Sequence, residues 1–269
     1  MTRWIEIADG VMVRRYAELD QTLGLVVGAE QCLVVDTGRD EVHGAEMAAA
    51  IREVTPLAWT ALITHSHWDH FFGTESFMPC SVWAHERCRS VLADNAEEMR
   101  ARGLRYYANS GRPDLAAHLS TAKIVLPTDV LTSDVTLDLG GRSVVLVHPG
   151  RGHTGNDVVA HVPDAGVVFA GDLVEQGAPP VIGDDAYPLE WPATLDVMLG
   201  LEPAVVVPGH GEPVDRAFAR EQRDEVAVVA QLVRAVADGE LSIEGAVGRS
   251  PYPEDATLPA LRRAQPATP

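Results

Sequence analysis

The chain has 269 residues, 46% of them hydrophobic and 22% charged, and carries a formal net charge of −18 at neutral pH. That length suits one large α/β domain, and the apolar fraction suits a globular core. Lys123 is the only lysine and no Lys/Arg-rich run occurs, so the clustered cations that neutralise phosphates are missing and nucleic-acid binding is not expected. The acidity reads as solubility. No apolar stretch reaches the roughly 18 residues of a membrane span, and Met1 to Glu6 lacks the apolar run of a signal peptide. Cys32, Cys80 and Cys88 are an odd number without metal-site spacing. Together these predict a cytoplasmic protein without structural disulfides and without a membrane partner.

In chain order, the first informative element is a buried strand over Gln31–Val35, which runs into Asp36-Thr37-Gly38. A helix is predicted over Glu41–Val54. A strand over Thr60–Thr64 then leads into His65-Ser66-His67-Trp68-Asp69-His70. That run puts three imidazoles and one carboxylate within six residues, and these are ligand types that zinc and related metals accept. Four such side chains on one turn do not fit easily around a single tetrahedral ion, but two ions can share them.

In the segment Glu86–Thr128, Cys88, Leu92, Ala96 and Met99 mark one face of an amphipathic helix. Arg105-Tyr106-Tyr107-Ala108-Asn109 and Gly111-Arg112-Pro113 follow it as a predicted loop, either solvated or lid-like. A strand over Ser143–Val147 precedes His148-Pro149-Gly150-Arg151-Gly152-His153. A strand over Val167–Ala170 ends in Gly171-Asp172, and a strand over Ala204–Val207 leads to Pro208-Gly209-His210. His153, Asp172 and His210 are thus ligand types at strand ends beside glycines, where a backbone turns sharply. The loop Glu175–Trp191, with Tyr187, follows Asp172 closely and is expected near it. Helices are predicted over Leu189–Leu201 and over Asp215–Val236, the latter with Val226, Val229, Val233 and Val236 on one face. The Pro- and Ala-rich tail from Ser250 is expected to pack loosely. The predicted division is a main domain over 1–236 and a C-terminal extension over 237–269.

The order strand, Asp, helix, strand, His occurs twice, once around Asp36 and His65 and once around Asp172 and His210. Two β/α halves facing each other would bring both sets of strand ends to one edge.

On the run His65 to His70, followed in order by His153, Asp172 and His210, the chain resembles the metallo-β-lactamase-fold hydrolase superfamily over roughly residues 5–215. The resemblance implies an α/β fold, an αββα sandwich with the metal site at one edge between the sheets. It implies one metal held by His65, His67 and His153, a second held by Asp69, His70 and His210, and Asp172 bridging the two. Two zinc ions per chain are expected, with iron or manganese as alternatives. Asp36 matches an early strand-end Asp that orients a ligand loop. Members with a cysteine ligand carry Cys where this chain has Asp172, and the di-iron reductases carry Glu where it has His67. What remains resembles the glyoxalase II-type thioesterases, lactonases and related esterases.

The implied chemistry is attack by a metal-bound hydroxide on the carbonyl of a small-molecule ester, thioester or lactone, with Asp69 and Asp172 as catalytic carboxylates. Lactam hydrolysis, a mononuclear iron persulfide dioxygenase and a non-catalytic metal-binding protein are the alternatives. No Gly-x-Ser-x-Gly elbow points to a serine hydrolase. Arg151, His148 and Tyr187 are candidates for substrate contact, Arg151 because a guanidinium suits carboxylates. His43, His85, His118 and His161 are expected to be structural or exposed. No oligomeric state is implied.

Overall fold

The structure is a computed structural model and describes residues 3–263. The first half comprises β1 (Trp4–Ala8), β2 (Val11–Tyr16), β3 (Gln21–Val27), β4 (Gln31–Val35), α1 (Glu41–Val54), β5 (Ala58–Leu62), the single turn α2 (Trp68–Phe71), β6 (Val82–His85), α3 (Glu86–Asn109), α4 (Pro113–Thr121) and β7 (Asp129–Leu131). The second comprises β8 (Val135–Asp138), β9 (Ser143–Val147), β10 (Val159–Val162), β11 (Val167–Glu175), α5 (Trp191–Leu199), β12 (Val205–His210), β13 (Val214–Asp215), α6 (Arg216–Ala237), α7 (Ile243–Val247) and α8 (Glu254–Arg263).

Strand order is β7-β6-β5-β4-β3 in one half and β12-β11-β10-β9-β8 in the other, with β1, β2 and β13 paired at the sides. The halves meet in strand pairing where His210 of β12 faces Gln21 of β3. They otherwise face each other through a shared core that includes Val13, Leu33 and Leu62 from one sheet and Val144, Phe169 and Val207 from the other. On the outer face of the first sheet, Met47 and Ile51 of α1 cover Leu25 and Val34. Cys88, Leu92 and Met99 of α3 cover Ile63 and Val82. On the outer face of the second, Leu195 of α5, Val226 of α6 and Leu261 of α8 cover Val168 and Val206. The layers are therefore helix, sheet, sheet, helix, the αββα sandwich. Burying apolar side chains on both faces of each sheet is what makes its central strands read as continuous apolar runs.

The echo seen in the sequence is a structural repeat, since β4 pairs parallel with β5 and β11 pairs parallel with β12. α1 keeps its predicted bounds, and the Asp40 side chain caps it by accepting from His43 N at 2.9 Å. α6 starts in the same way, with Asp215 accepting from Phe218 N at 2.8 Å.

Three expectations change. α3 does not end before Arg105 but continues to Asn109, burying Gly103 and Tyr107 beyond the predicted face. β11 does not stop at Ala170. It runs through Asp172 to Glu175, with register shifts against β12 on either side of Gly171, whose φ is +53°. Such a bulge re-aims a side chain without ending the strand. The tail is not loose over residues 254–263, because α8 buries Thr257, Ala260 and Leu261 against the second sheet's helices. Among the described residues no helix is long and apolar enough to cross a membrane.

Candidate metal centre

All seven predicted ligand side chains converge at one edge of the sandwich. They form two groups whose ligand atoms lie within 4.8 Å of one another: His65, His67, His153 and Asp172 in one, and Asp69, His70 and His210 in the other. Asp172 links the groups. Its Oδ2 lies 3.4 Å from both His153 Nε2 and His210 Nε2, and its Oδ1 lies 3.3 Å from His70 Nε2. Asp69 Oδ2 lies 3.2 Å from His210 Nε2 and 3.5 Å from His70 Nε2.

Each of the five imidazoles is held by its outward nitrogen. His70 Nδ1 lies 2.8 Å from Asp36 Oδ2, His65 Nδ1 lies 3.1 Å from Thr64 Oγ1, and His153 Nδ1 lies 3.1 Å from Val181 O. His210 Nδ1 lies 2.7 Å from Leu19 O, and His67 Nε2 lies 3.0 Å from Asp185 Oδ2. Every one of these partners accepts a hydrogen, so the ring nitrogen it faces is the protonated one and the inward nitrogen presents a lone pair. His67 Nδ1 and His153 Nε2 consequently face each other at 2.8 Å, lone pair to lone pair. His65 Nε2, His70 Nε2 and Asp172 Oδ1 are buried without any hydrogen-bond partner. Two facing lone pairs and three orphaned acceptors are costly unless a cation sits among them. The donor set of imidazole nitrogen and carboxylate oxygen fits zinc, iron or manganese.

Electrostatics agree with this. Burial drives His65 well below the ordinary histidine range and His153 down to about 4, so both rings stay neutral, the form in which an imidazole can accept a metal ion. Burial also opposes charge on His70 and His210, but the Asp172 and Asp69 carboxylates outweigh it and hold both well above the usual value. The carboxylates at the centre thus draw in positive charge, and a metal ion can take the place of those protons.

Local sequence explains how the loops hold. Asp36 is buried at the end of β4 with φ +61°, a left-handed conformation that Asp tolerates better than most residues. Its Oδ1 accepts from Thr64 N and its Oδ2 from Thr64 Oγ1, both at 2.8 Å. Asp157 does the same for the His153 loop. It accepts from Thr154 N, Thr154 Oγ1 and Gly152 N at 2.6–3.2 Å, and burial raises its carboxyl to about 7. Asn156 ties the two loops together, taking Ser66 N at 3.0 Å and donating to Ser66 Oγ at 3.1 Å. Gly209 is required by space, because a Cβ there would lie 2.0 Å from Asp172 Oδ1.

The centre opens into a cleft of about 440 Å³, walled by Leu19, Trp68, Tyr106 and Val181 and lined also by Arg102, Glu175 and Asp185. Of the predicted substrate contacts, none lines this cleft. Arg151 pairs with Glu190, its Nη2 2.5 Å from the carboxylate, and stacks on Tyr187 with 4.3 Å from guanidinium to ring centre. Its spacing from His153 put it near the site in sequence, but that pair turns it away. His148 Nδ1 lies 2.7 Å from Asp157 O and the ring stacks on His85 at 4.1 Å. Tyr187 lines an adjoining groove of about 330 Å³ that shares Arg102 and Asp185 with the cleft. Arg102 carried no sequence signal, because it lies in the middle of a helix read for its apolar face. Asp185 lies in the loop Glu175–Trp191 that was expected near Asp172, but no pattern within the loop singled it out. Of the other histidines, His43 is buried against Tyr16 with ring centres 4.1 Å apart, and His85 caps α3 by accepting from Arg87 N at 3.2 Å.

The family model for the metallo-beta-lactamase superfamily matches residues 18–210, a span that holds Asp36 and all seven clustered side chains. The chain belongs to the metallo-beta-lactamase superfamily. Within it, the chain is 27% identical over 160 residues to an acyl-coenzyme A thioesterase, MBLAC2, of Gallus gallus, covering 57% of each protein. It is 26% identical over 201 residues to a metallo-beta-lactamase type 2 of Bacillus cereus, covering 72% of this chain and 69% of that one. The chain thus spans little more than half the length of the thioesterase it matches. Among solved structures, a metallo-beta-lactamase from Pontibacter korlensis superposes with a TM-score of 0.65 at 20% identity, covering 84% of this chain and 99% of that one. This superposition speaks for the superfamily's fold.

Proposed function

We propose that the chain is a dinuclear metal-dependent hydrolase, loaded with zinc, that cleaves a thioester, ester or lactone of a small molecule. The observation that carries this is Asp172, whose two carboxylate oxygens lie 3.3–3.4 Å from imidazoles of both ligand groups. His65, His67 and His153 would hold one ion, Asp69, His70 and His210 the other, and Asp172 would serve both. When bound, the ions would supply a water activated at neutral pH and positive charge for the oxyanion. The remaining work belongs to the chain's own residues. Asp69 and Asp172 present acceptor oxygens at the cleft floor, able to orient a water and carry its proton toward a leaving group. Leu19, Trp68, Tyr106 and Val181 give an acyl group an apolar wall.

Charge in the cleft supports an ester-type substrate. Arg102 is the one Lys or Arg lining it, and its Nη1 is engaged 3.4 Å from Asp185 Oδ2. Glu175 is buried beside the centre. A substrate carboxylate of the kind many lactams carry finds no unpaired Lys or Arg among the described residues lining the cleft. Thiolate and alkoxide leaving groups also need less assistance than an amide nitrogen. The thioesterase relative fits this reading, and the Bacillus cereus relative keeps lactam hydrolysis as the second one. A cytoplasmic location fits the three free thiols.

A panel of thioesters, lactones and β-lactams, assayed on one metal-reconstituted sample of known metal content, tests the reading. We expect about two zinc per chain. We also expect kcat/KM for the best thioester or lactone to exceed that for the best β-lactam by at least about 100-fold, or roughly 2.7 kcal/mol. Comparable efficiency or a preference for lactams would overturn it, and one iron per chain with oxygen uptake would point to dioxygenase chemistry.

A further inference from the structure

His67 is held differently from the other four imidazoles at the centre. It turns Nδ1 inward, 2.8 Å from His153 Nε2, and its Nε2 faces outward, 3.0 Å from Asp185 Oδ2. The outward nitrogens of His65 and His70 rest on the buried Asp36–Thr64 pair, and those of His153 and His210 on the backbone carbonyls of Val181 and Leu19. Only His67 among the five faces a side-chain carboxylate in the stretch between β11 and α5, which has no regular structure of its own. The Asp185 side chain is 30% exposed.

That loop is restrained from two sides. Arg102 Nη1, on α3, lies 3.4 Å from Asp185 Oδ2. Arg263 Nη1, in the last turn of α8, donates to Gly183 O at 2.9 Å and to Ala186 O at 2.7 Å. The two carbonyls bracket Asp185, so one guanidinium clamps the backbone on both sides of it. α8 is itself anchored, because Ala260 and Leu261 are buried in the second sheet's outer core.

We propose that Asp185 is the positioning residue of His67, and that α8 holds Asp185 in place through Arg263. A carboxylate that accepts the Nε2 hydrogen keeps His67 in the tautomer with a lone pair on Nδ1, fixes the ring angle and raises the basicity of the inward nitrogen. Without it the ring is free to flip and to present either nitrogen. The C-terminal segment thereby contributes to a centre whose ligands all come from residues 65–210. The proposal rests on His67 being a ligand, as in the proposed function.

The test uses the full chain carrying His67→Ala, Asp185→Ala, Asp185→Ser, Asp185→Asn or Arg263→Ala. Zinc affinity is measured by competition with a chelator, and the absorption spectrum of the cobalt-substituted protein and the thermal stability of the metal-free protein are recorded beside it. His67→Ala should lose one metal equivalent. Asp185→Ala should weaken zinc binding about 10- to 100-fold and alter the cobalt spectrum, while the metal-free melting temperature stays near that of the parent. Asp185→Ser is too short to reach His67, carries the same expectation, and stands in if the alanine variant fails to fold. Asp185→Asn, which still offers an oxygen to Nε2, should recover most of the affinity. Arg263→Ala should shift both readouts in the same direction by a smaller factor, about 3- to 10-fold. Parental affinity and spectrum in Asp185→Ala or Asp185→Ser, with a metal lost in His67→Ala, would overturn the role of Asp185. The same result in Arg263→Ala would overturn the role of α8. Retention of both metals by His67→Ala would instead remove the ligand assignment on which the proposal stands.

Discussion

Asp36 Oδ2 lies 2.8 Å from His70 Nδ1, and the same oxygen takes the Thr64 hydroxyl at 2.8 Å. Thr64 Oγ1 in turn lies 3.1 Å from His65 Nδ1. One carboxylate at the end of β4 therefore orients an imidazole in each of the two ligand groups. Removing it leaves three buried donors, Thr64 N, Thr64 Oγ1 and His70 Nδ1, without their acceptor, at about 1–3 kcal/mol each. Asp36→Ala is expected to lower the stability of the metal-free protein by at least about 3 kcal/mol. Asp36→Asn should keep the fold and weaken metal binding about 10-fold or more. Denaturant unfolding and chelator competition measure the two effects, and parental values in both would contradict the orienting role.

Asp172→Ala removes the carboxylate that lies 3.3–3.4 Å from imidazoles of both groups. We expect loss of one metal equivalent and a fall in kcat/KM of at least about 1000-fold, or roughly 4 kcal/mol. The fold should survive, because Asp172 lines the cleft and is not part of the apolar cores that hold the two sheets and their helices together. Metal analysis with steady-state kinetics checks this. Two metals retained with near-normal turnover would sink the bridging role.

Gly209→Ala tests the space around that carboxylate. The added Cβ would lie 2.0 Å from Asp172 Oδ1 and 3.1 Å from His70 Cε1, so Asp172 must move. A loss of kcat/KM of at least about 10-fold is expected, together with an overpacking cost of about 1–3 kcal/mol. Parental kinetics would show that the carboxylate has room to spare.

His43, which is outside both groups of clustered side chains, gives a pH dependence of stability. Burial, with the Arg39 guanidinium nearby, lowers it from 6.5 to about 3. In the unfolded chain it protonates as pH falls through 6.5, whereas in the folded chain it stays neutral until about 3. Its contribution is therefore complete above the unfolded value and is lost progressively as pH falls toward the folded one. Between pH 6.5 and 5 this amounts to about 2 kcal/mol. His43→Gln should lose less stability over that interval than the parent, by about this amount, in urea unfolding of the metal-free proteins. Parallel stability curves would place the pH sensitivity elsewhere.

Much of the centre was legible in the sequence, since its ligand types recur at strand ends and strand ends are marked by apolar runs followed by glycine. The run His65 to His70, His153, Asp172, His210 and Asp36 could all be singled out that way. So could α1 and the buried face of α3, because a helix writes its period into neighbouring residues. The parallel pairing of β4 with β5 and of β11 with β12 was foreshadowed by the twofold order of strand, Asp, helix, strand and His.

The cleft wall was decided only by tertiary structure. Arg151 stands two residues from His153 yet is turned away by Glu190, while Arg102 and Asp185, with no motif around them, reach the cleft. The tail read as loose because its prolines and alanines lack a long period, yet Leu261 is fully buried and Arg263 grips the loop that carries Asp185. The physical reason is the same in each case. A ligand at a strand end is set by local backbone geometry, which neighbouring residues encode. A side chain's partner across the molecule is set by packing between segments as distant as residues 102, 185 and 263, and no local pattern records it.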